Sequence, residues 1–223
     1  MAYLDIRYKL DLETTSVNGS RYYETPDGRA YPSVTTVLGR YKEPSLLAWK
    51  QRVGFAEADK IANKAADFGT KIHEMCEAYI LGQPLPEHNH FHKSRFEIMK
   101  KVIDEDFGAV YALEAALYSH KLKTAGRTDV IGQFRGIPSV IDFKNANKPK
   151  KKEWIDNYFY QGAAYSYMYY ELTKDEDTTP KQIVIVVSVE HENEPQIFIE
   201  PVASWISPMI NLFKQYGDHE KSY

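Results

Sequence analysis

The chain has 223 residues, of which 43% are hydrophobic and 26% are charged, and its formal net charge is −3 at neutral pH. This length suffices for one well-buried core and is short for two independent domains. Cys76 is the only cysteine, which excludes an intrachain disulfide framework and any four-cysteine zinc or iron–sulfur site. Because the net charge is not basic, a nucleic-acid partner would have to be held by a local patch.

No apolar run approaches the ~20 residues that a membrane span requires. The first five residues have neither a basic segment followed by an apolar stretch nor a transit-peptide composition. We therefore expect a protein without a membrane partner, without a signal or transit peptide, and located inside the cell.

The N-terminal half is predicted to be mainly helical. Residues 1–30 favour irregular or short extended segments, with a turn at residues 26–28. A helix is predicted to begin near Ser33, which is a possible N-cap. Helical sequence continues to about Phe107, with predicted breaks near Gly54, at residues 68–69 and around residues 82–86.

The C-terminal half alternates between strands and helices. Strands are predicted at residues 110–119, 126–134, 139–144, 182–190 and 196–200, with helices at 153–172 and 204–216. This order predicts one α/β domain over residues 1–223, with a mixed central sheet flanked by helices. Residues 30–107 would form a helical cap or arch, and residues 108–223 the core.

Two of these strands carry a group of charged residues. A two-residue turn at Arg135-Gly136 would pair positions whose numbers sum to 271, which sets Asp129 opposite Asp142. Like charges in that position are destabilising unless a cation compensates, and Mg²⁺ prefers one or two carboxylates. Lys144 shares a strand face with Asp142 and could orient water or offset phosphate charge. The alternative is a surface hairpin whose acids pair with Arg127 and Lys144.

Four further residues have a functional and a structural interpretation. Glu114, among alanines and a leucine, is either a metal or water contact or an ordinary solvent-facing glutamate. His73 borders a buried helical stripe and is either a metal ligand or a hydrogen-bonded boundary residue. Gln161 and Tyr165 lie one helical turn apart, with small residues between them that permit close approach of the sheet or of a DNA strand.

A run of lysines begins at Lys144 and ends at Lys152, with Lys148 inside it. Such a run favours either a phosphate-binding loop or a solvated surface loop.

Taken together, these residues resemble the PD-(D/E)XK nuclease superfamily, specifically its RecB-like exonuclease branch. The ordered pattern is His73, then Gly126-Arg127-Thr128-Asp129, then Asp142-Phe143-Lys144, then Gln161 with Tyr165. The segments 32–35 and 148–150 also resemble parts of mitochondrial genome maintenance exonucleases and of related phage exonucleases. Thr128 stands where the family's nominal motif has proline.

The resemblance implies a restriction-endonuclease-like core and Mg²⁺ or Mn²⁺ bound by His73, Asp129, Asp142 and the carbonyl of Phe143. It implies that Lys144 assists the nucleophilic water, with Glu114 as a further catalytic carboxylate. Substrate contacts are implied at Gln161, Tyr165, Lys148 and Ser33.

The expected function is exonucleolytic hydrolysis of DNA from a free, single-stranded end, in replication, recombination or repair, with a possible partner protein. Three alternatives remain open at this level. One is a structure-specific or sequence-specific endonuclease of the same fold, and another is a non-catalytic nucleic-acid-binding module. The third is an α/β protein unrelated to DNA.

Overall fold

The computed structural model describes residues 3–217 of the chain. Nine strands and five helices follow one another in the order β1–β4, α1–α3, β5–β7, α4, β8, β9, α5 within this part of the chain. The strands are β1 Tyr3–Leu4, β2 Thr14–Val17, β3 Ser20–Glu24, β4 Ala30–Pro32, β5 Phe107–Ser119, β6 Thr124–Phe134, β7 Ile137–Ala146, β8 Gln182–Val189 and β9 Gln196–Pro201. The helices are α1 Val34–Val53, α2 Phe55–Ile80, α3 His90–Asp106, α4 Asp156–Thr173 and α5 Val202–Tyr216, with a 3₁₀ turn at Lys152–Trp154 before α4.

The central sheet has six strands in the order β1-β5-β6-β7-β8-β9. Strands β5, β6 and β7 form an antiparallel meander, while β7 and β8 are parallel and joined through α4. The predicted mixed sheet flanked by helices is therefore confirmed. Strand β8 lies between β7 and β9 and is covered by helices on both faces of the sheet. Its residues are therefore almost continuously apolar, instead of alternating between apolar and polar.

A hydrophobic core covers each face of the central sheet. On one face, α1, α4 and α5 pack against residues such as Val140, Ile183 and Ile185. On the other, α2 and α3 pack against Ile141, Val184 and Val186. The alternation of strand residues between the two faces fixes which side chains meet which helices.

The hairpin between β6 and β7 has the predicted turn and register. Arg135 and Gly136 both have positive φ, 52° and 79°, as a two-residue type I′ turn requires. The pairs Val130–Ile141 and Gln133–Pro138 both sum to the expected 271.

One prediction for the N-terminal half was wrong and another was incomplete. The short extended segments predicted in residues 1–30 pair as part of a separate three-stranded antiparallel sheet, β2-β3-β4. Tyr23 and Tyr31 anchor it against Ala116 and Ala125 of the central sheet, a long-range contact that no local pattern shows. Helix α2 also continues through Gly69, where a break was predicted, because no helical hydrogen bond depends on a side chain there.

Other boundaries follow the prediction. Ser33 caps α1, with its hydroxyl accepting a hydrogen bond from the amide of Thr36 at 3.0 Å. Gly54 separates α1 from α2, and residues 82–86 lie between α2 and α3. Within the described part of the chain, every helix is too short or too polar to cross a bilayer.

Two glycines of this fold should respond oppositely to alanine. A Cβ at Gly69 would meet nothing within 4 Å, so Gly69→Ala should stabilise the protein by about 0.5–1 kcal/mol through helix propensity. A Cβ at Gly132 would lie 2.6 Å from the carbonyl oxygen of Ala109, so Gly132→Ala should destabilise it by about 1–3 kcal/mol. Urea denaturation of both variants measures the difference, and equal effects at the two positions would contradict this packing.

Candidate active site

Three carboxylates lie at one level across three neighbouring strands. The pairs Leu113–Val130 and Ala115–Thr128 place Glu114 of β5 opposite Asp129 of β6. Continuing the β6–β7 register beyond Val130–Ile141 places Asp142 of β7 on the other side of Asp129. The β5–β6 ladder has no pair between Leu113–Val130 and Ala115–Thr128, and the β6–β7 ladder ends at Val130–Ile141, as repulsion between like charges in opposed positions favours.

Local backbone changes accompany this interruption. Glu114 has a φ of 45°, in the left-handed region that a residue with a side chain rarely adopts. Its carbonyl oxygen accepts a hydrogen bond from the guanidinium of Arg127. On the other side, the amide of Phe143 donates to Asp129 Oδ2 at 2.8 Å. The side chain of Asp129 thus accepts a hydrogen bond from β7 that a backbone carbonyl of β6 would accept in a regular ladder.

His73 reaches this level from α2. Its Nδ1 lies 3.3 Å from Asp129 Oδ1 and 4.0 Å from Glu114 Oε1, and its Nε2 is 2.9 Å from the carbonyl oxygen of Phe143. Ile72 and Cys76 on the buried stripe of the same helix pack into the core. His73 therefore borders the core as predicted, and its ring is aimed at the sheet.

Asp142 is paired with Lys144 on the same strand. Asp142 Oδ1 accepts a hydrogen bond from Lys144 Nζ at 2.7 Å, and Oδ2 lies 2.5 Å from the same nitrogen without hydrogen-bond geometry. The ammonium also lies 5.2 Å from the ring centroid of Tyr158 on α4. Asp142 is buried, whereas the side chain of Lys144 is 22% exposed.

Burial and the mutual interactions of these groups set their protonation. Burial and then the charge of Asp129 raise the pKa of Glu114 to about 8. Burial alone would lower the pKa of His73, but the charge of Asp129 outweighs it and raises that pKa to about 9. Burial would raise the pKa of Asp129, yet His73 and Lys144 lower it.

In Asp142 and Lys144, too, burial and the charge of the neighbouring group shift the pKa in opposite directions. Burial raises the pKa of Asp142 to about 6 against the opposing charge of Lys144. Burial would lower the pKa of Lys144, but Asp142 and Asp129 raise it. The lysine is therefore a cation at neutral pH, and Asp129 is the most firmly ionised acid of the group.

Helix α4 carries Gln161 and Tyr165 beside the Gly126 end of β6. Both side chains are buried, and the Gln161 amide donates to the Tyr165 hydroxyl at 3.3 Å. A Cβ at Gly126 would lie 2.8 Å from the Tyr165 ring, so the glycine makes room for that ring. Tyr158 was not singled out among the tyrosines of the sequence. It lies three residues before Gln161, a spacing that places both on one helix face.

The remaining two predicted contacts lie outside this group. Ser33 is 3% exposed and uses its hydroxyl to cap α1, next to Ala125 at the start of β6. Lys148 is exposed in the loop after β7. This loop is held at Lys150, whose amide and carbonyl both bond the side-chain amide of Gln196. Trp154, 57% exposed, lies close to Lys151.

One group of side chains in residues 3–217 has the arrangement of a metal site. Donor atoms of His73, Glu114 and Asp129 all lie within 4.8 Å of one another. Carboxylate oxygens suit Mg²⁺ and Mn²⁺, and imidazole suits the later transition metals. The group could therefore hold a divalent cation. Asp142 and the Phe143 carbonyl, also predicted as ligands, lie beside it and are engaged by Lys144 and His73.

Comparison with known proteins points to nucleases. No family model matches the chain. The chain is 30% identical over 132 residues to mitochondrial genome maintenance exonuclease 1 of Mus musculus, a match that covers 53% of this chain and 38% of the mouse protein. The chain thus matches well under half the length of that relative. Its structure is similar to the crystal structure of SSO0001 with a TM-score of 0.42 and 16% identity, over 82% of this chain and 73% of the other. The sequence match supports a nuclease-like relationship.

The raised pKa of Glu114 gives a testable pH dependence in the presence of EDTA. The unfolded glutamate loses its proton near pH ~4.3, whereas the folded one retains it to about pH 8. Between these values the folded state binds more protons, so this group's contribution to stability falls as pH rises. Glu114→Gln removes that loss.

The stability advantage of Glu114→Gln over the parent protein should therefore grow between pH 5 and pH 8, to the order of a few kcal/mol. Urea denaturation at several pH values measures this advantage. Glu105→Gln, an exposed position on α3, is the matched control and should show no such trend. An advantage that stays constant with pH would show that Glu114 is not held in this environment.

Proposed function

We propose that the chain is a Mg²⁺- or Mn²⁺-dependent deoxyribonuclease of the PD-(D/E)XK type, in the RecB-like exonuclease branch. The observation that carries this proposal is the single level shared by Glu114, Asp129 and Asp142, with Lys144 on the third strand and His73 above. The match to a mouse exonuclease supports the same reaction class.

The residues that would hold the cation are His73, Asp129, Asp142 and the carbonyl of Phe143, with Glu114 as a further donor. When bound, the cation would polarise the scissile phosphate and lower the pKa of an attacking water. The chain's own part is to keep Asp129 and Asp142 ionised and in place. Asp129 does so through the Phe143 amide and His73, and Asp142 through Lys144.

Lys144 would act as a cation rather than as a base. Its raised pKa keeps it protonated at neutral pH, so it can donate a hydrogen bond to water or to a phosphate oxygen. Asp142 and the Tyr158 ring fix where the ammonium lies. Since its side chain is still partly exposed, the ammonium can meet a substrate without displacing the core.

A DNA strand has suitable partners around this site. Lys148, Lys150, Lys151 and Lys152 follow β7 directly, and the bonds from Gln196 hold their loop in one conformation. Lysines contact phosphates without regard to sequence, and an exposed aromatic ring such as Trp154 can stack on an unpaired base. These features favour a single strand as the substrate.

Replacement of Lys144 by methionine should lower the rate of DNA hydrolysis by roughly 10²- to 10⁴-fold, because it removes the positioned cation. Arg135→Met, at the opposite end of the same hairpin, removes an exposed cation and should leave the rate unchanged. End-labelled DNA incubated with Mg²⁺, Mn²⁺ or EDTA provides the measurement. Activity in EDTA, or full activity of Lys144→Met, would show the site assignment to be wrong.

A free end should be required for digestion. Linear single-stranded DNA should be degraded, whereas a covalently closed single-stranded circle of the same sequence should survive under the same conditions. If the circle is cut as fast as the linear strand, the enzyme is an endonuclease of the same fold. Salt-dependent DNA binding without any cleavage would instead identify a binding module.

A further inference from the structure

A cavity of about 900 Å³ lies on the α2 and α3 side of the central sheet. Its wall comes from the middle of α2, the first turns of α3, the end of β7 and the segment that follows β8. Pockets for small organic ligands have volumes of roughly 300–1,000 Å³. The cavity therefore has room for a ligand of nucleotide size.

Two elements connect this cavity to the candidate active site. On α2, Phe68 lines the cavity and His73 belongs to the site, an axial separation of ~7.5 Å. On β7, Asn145 lines the cavity and follows Lys144, whose side chain lies on the opposite face of the sheet. The cavity therefore borders the two elements that carry His73 and Lys144, and a strand bound at the active site can reach it along α2.

The cavity is lined by a buried guanidinium without a full set of partners. Arg95 on α3 is 9% exposed, and its Nη1 has no hydrogen-bond partner. Its Nη2 donates to the carbonyl of Ala146 at 3.3 Å, a long bond. Burial lowers the pKa of Arg95, and only the nearby Glu190 opposes that effect. A buried charge without a hydrogen-bonded partner is costly, and an anionic ligand would remove the cost.

Aromatic and amide groups occupy the same wall. Phe91, in the first turn of α3, is 71% exposed, although an aromatic ring in water contributes nothing to folding. His90 lies next to it, and Phe68 packs against His92 with ring centroids 4.8 Å apart and an angle of 40° between the rings. Asn145 and Asn193 supply amides that can hydrogen-bond to the edge of a base. Stacking on an aromatic ring is available to every base.

Charges of both signs lie at the rim. Glu97, Glu190 and Glu192 oppose an anion, but all three are exposed, and water and salt screen them. Lys64 and Lys101, also exposed, offset them, although Lys101 is paired with Glu194. The buried charge of the cavity belongs to Arg95, and a buried charge decides the sign of ligand that is preferred.

We propose that this cavity is a nucleotide subsite, in which Arg95 binds a phosphate and Phe91 stacks on the base of one nucleotide of the bound strand. The role of this subsite in holding a substrate strand rests on the proposed nuclease function. Its binding of a phosphate and a base does not. The nucleotide can come from two sources, the end of a substrate strand or a released mononucleotide.

Calorimetric titration with deoxyadenosine 5′-monophosphate in EDTA tests the phosphate contact without cleavage. Arg95→Met should weaken binding by about tenfold to a hundredfold, as expected for a lost hydrogen bond to a charged group. The same variant should be as stable as the parent protein or more stable, since the unpaired buried charge is gone. Arg135→Met controls for loss of a distant guanidinium.

Phe91→Ala tests the subsite independently, because an exposed side chain can be removed without loss of folding. It should weaken nucleotide binding by about tenfold and leave the affinity for inorganic phosphate unchanged. Ile137→Ala, at an exposed apolar position on β7, is the matched control and should change neither affinity. Nucleotide binding that is equal in the parent protein, Arg95→Met and Phe91→Ala would overturn the proposal, as would no binding at all.

Competition between ligands identifies the source. A single-stranded oligonucleotide with a terminal phosphate should displace the mononucleotide if the subsite holds a strand end, and a hydroxyl-ended one should do so less well. If only the mononucleotide binds, the subsite holds released product. Nucleotide binding by a protein without nuclease activity would refute the proposed function alone. Nuclease activity without nucleotide binding would refute the subsite alone.

Discussion

The burial of three carboxyl groups on adjacent strands is the constraint on which the rest of the site depends. Glu114, Asp129 and Asp142 share one level of the sheet, where ordinary ladder pairing would hold like charges ~5 Å apart. The β5–β6 ladder lacks a pair there and the β6–β7 ladder ends one residue before it, and three kinds of group lie beside the carboxyl groups. They are a backbone amide from Phe143, an imidazole from His73 and an ammonium from Lys144.

Helices on opposite faces of the sheet position two of these compensating groups, His73 and Lys144. The apolar stripe of α2 fixes the position of His73, and α4 brings Tyr158 to Lys144. Close approach of α4 depends on glycine at two contacts. A Cβ at Gly126 would meet the ring of Tyr165, and one at Gly162 would meet the side chain of Ile183. The two cores therefore determine the chemistry of the site as well as the stability of the domain.

The parts of the fold and site that the sequence predicts are those set by local periodicity. The turn at Arg135-Gly136 and the alternation of Val140 with Ile141 suffice to give the hairpin register, and with it the position of Asp142. Helix α4, the β8–β9 pair and helix α5 follow from their own patterns. Glu114 stayed ambiguous because its position depends on a second register, between β5 and β6, whose turn at residues 120–123 contains no glycine, proline or asparagine.

What the sequence cannot supply depends on contacts between distant residues. The packing of Tyr23 and Tyr31 against the central sheet involves segments about 90 residues apart, which no local pattern shows, whereas the Asn18-Gly19 turn between β2 and β3 is a local hairpin signal that the prediction did not use. The burial of Arg95 could not be predicted from the sequence either, since an arginine in an amphipathic helix is ordinarily exposed. Gly69 wrongly suggested a helix break, because tertiary packing on either side of a glycine can outweigh its low helix propensity.

The path by which a DNA strand could reach the active site bears on whether that strand needs a free end. Apart from Ala58, residues 51–67 are exposed, so the junction of α1 and α2 at Gly54 stands away from the two cores. Exposed apolar side chains, including Leu46, Leu47, Phe55 and Ile61, lie along this projection. The same helix α2 then enters the domain, lines the cavity with Phe68 and presents His73 to Asp129. A strand that followed α2 from the projection to the carboxylates would pass the cavity first, and a strand with an end can enter such a path more readily than a closed circle.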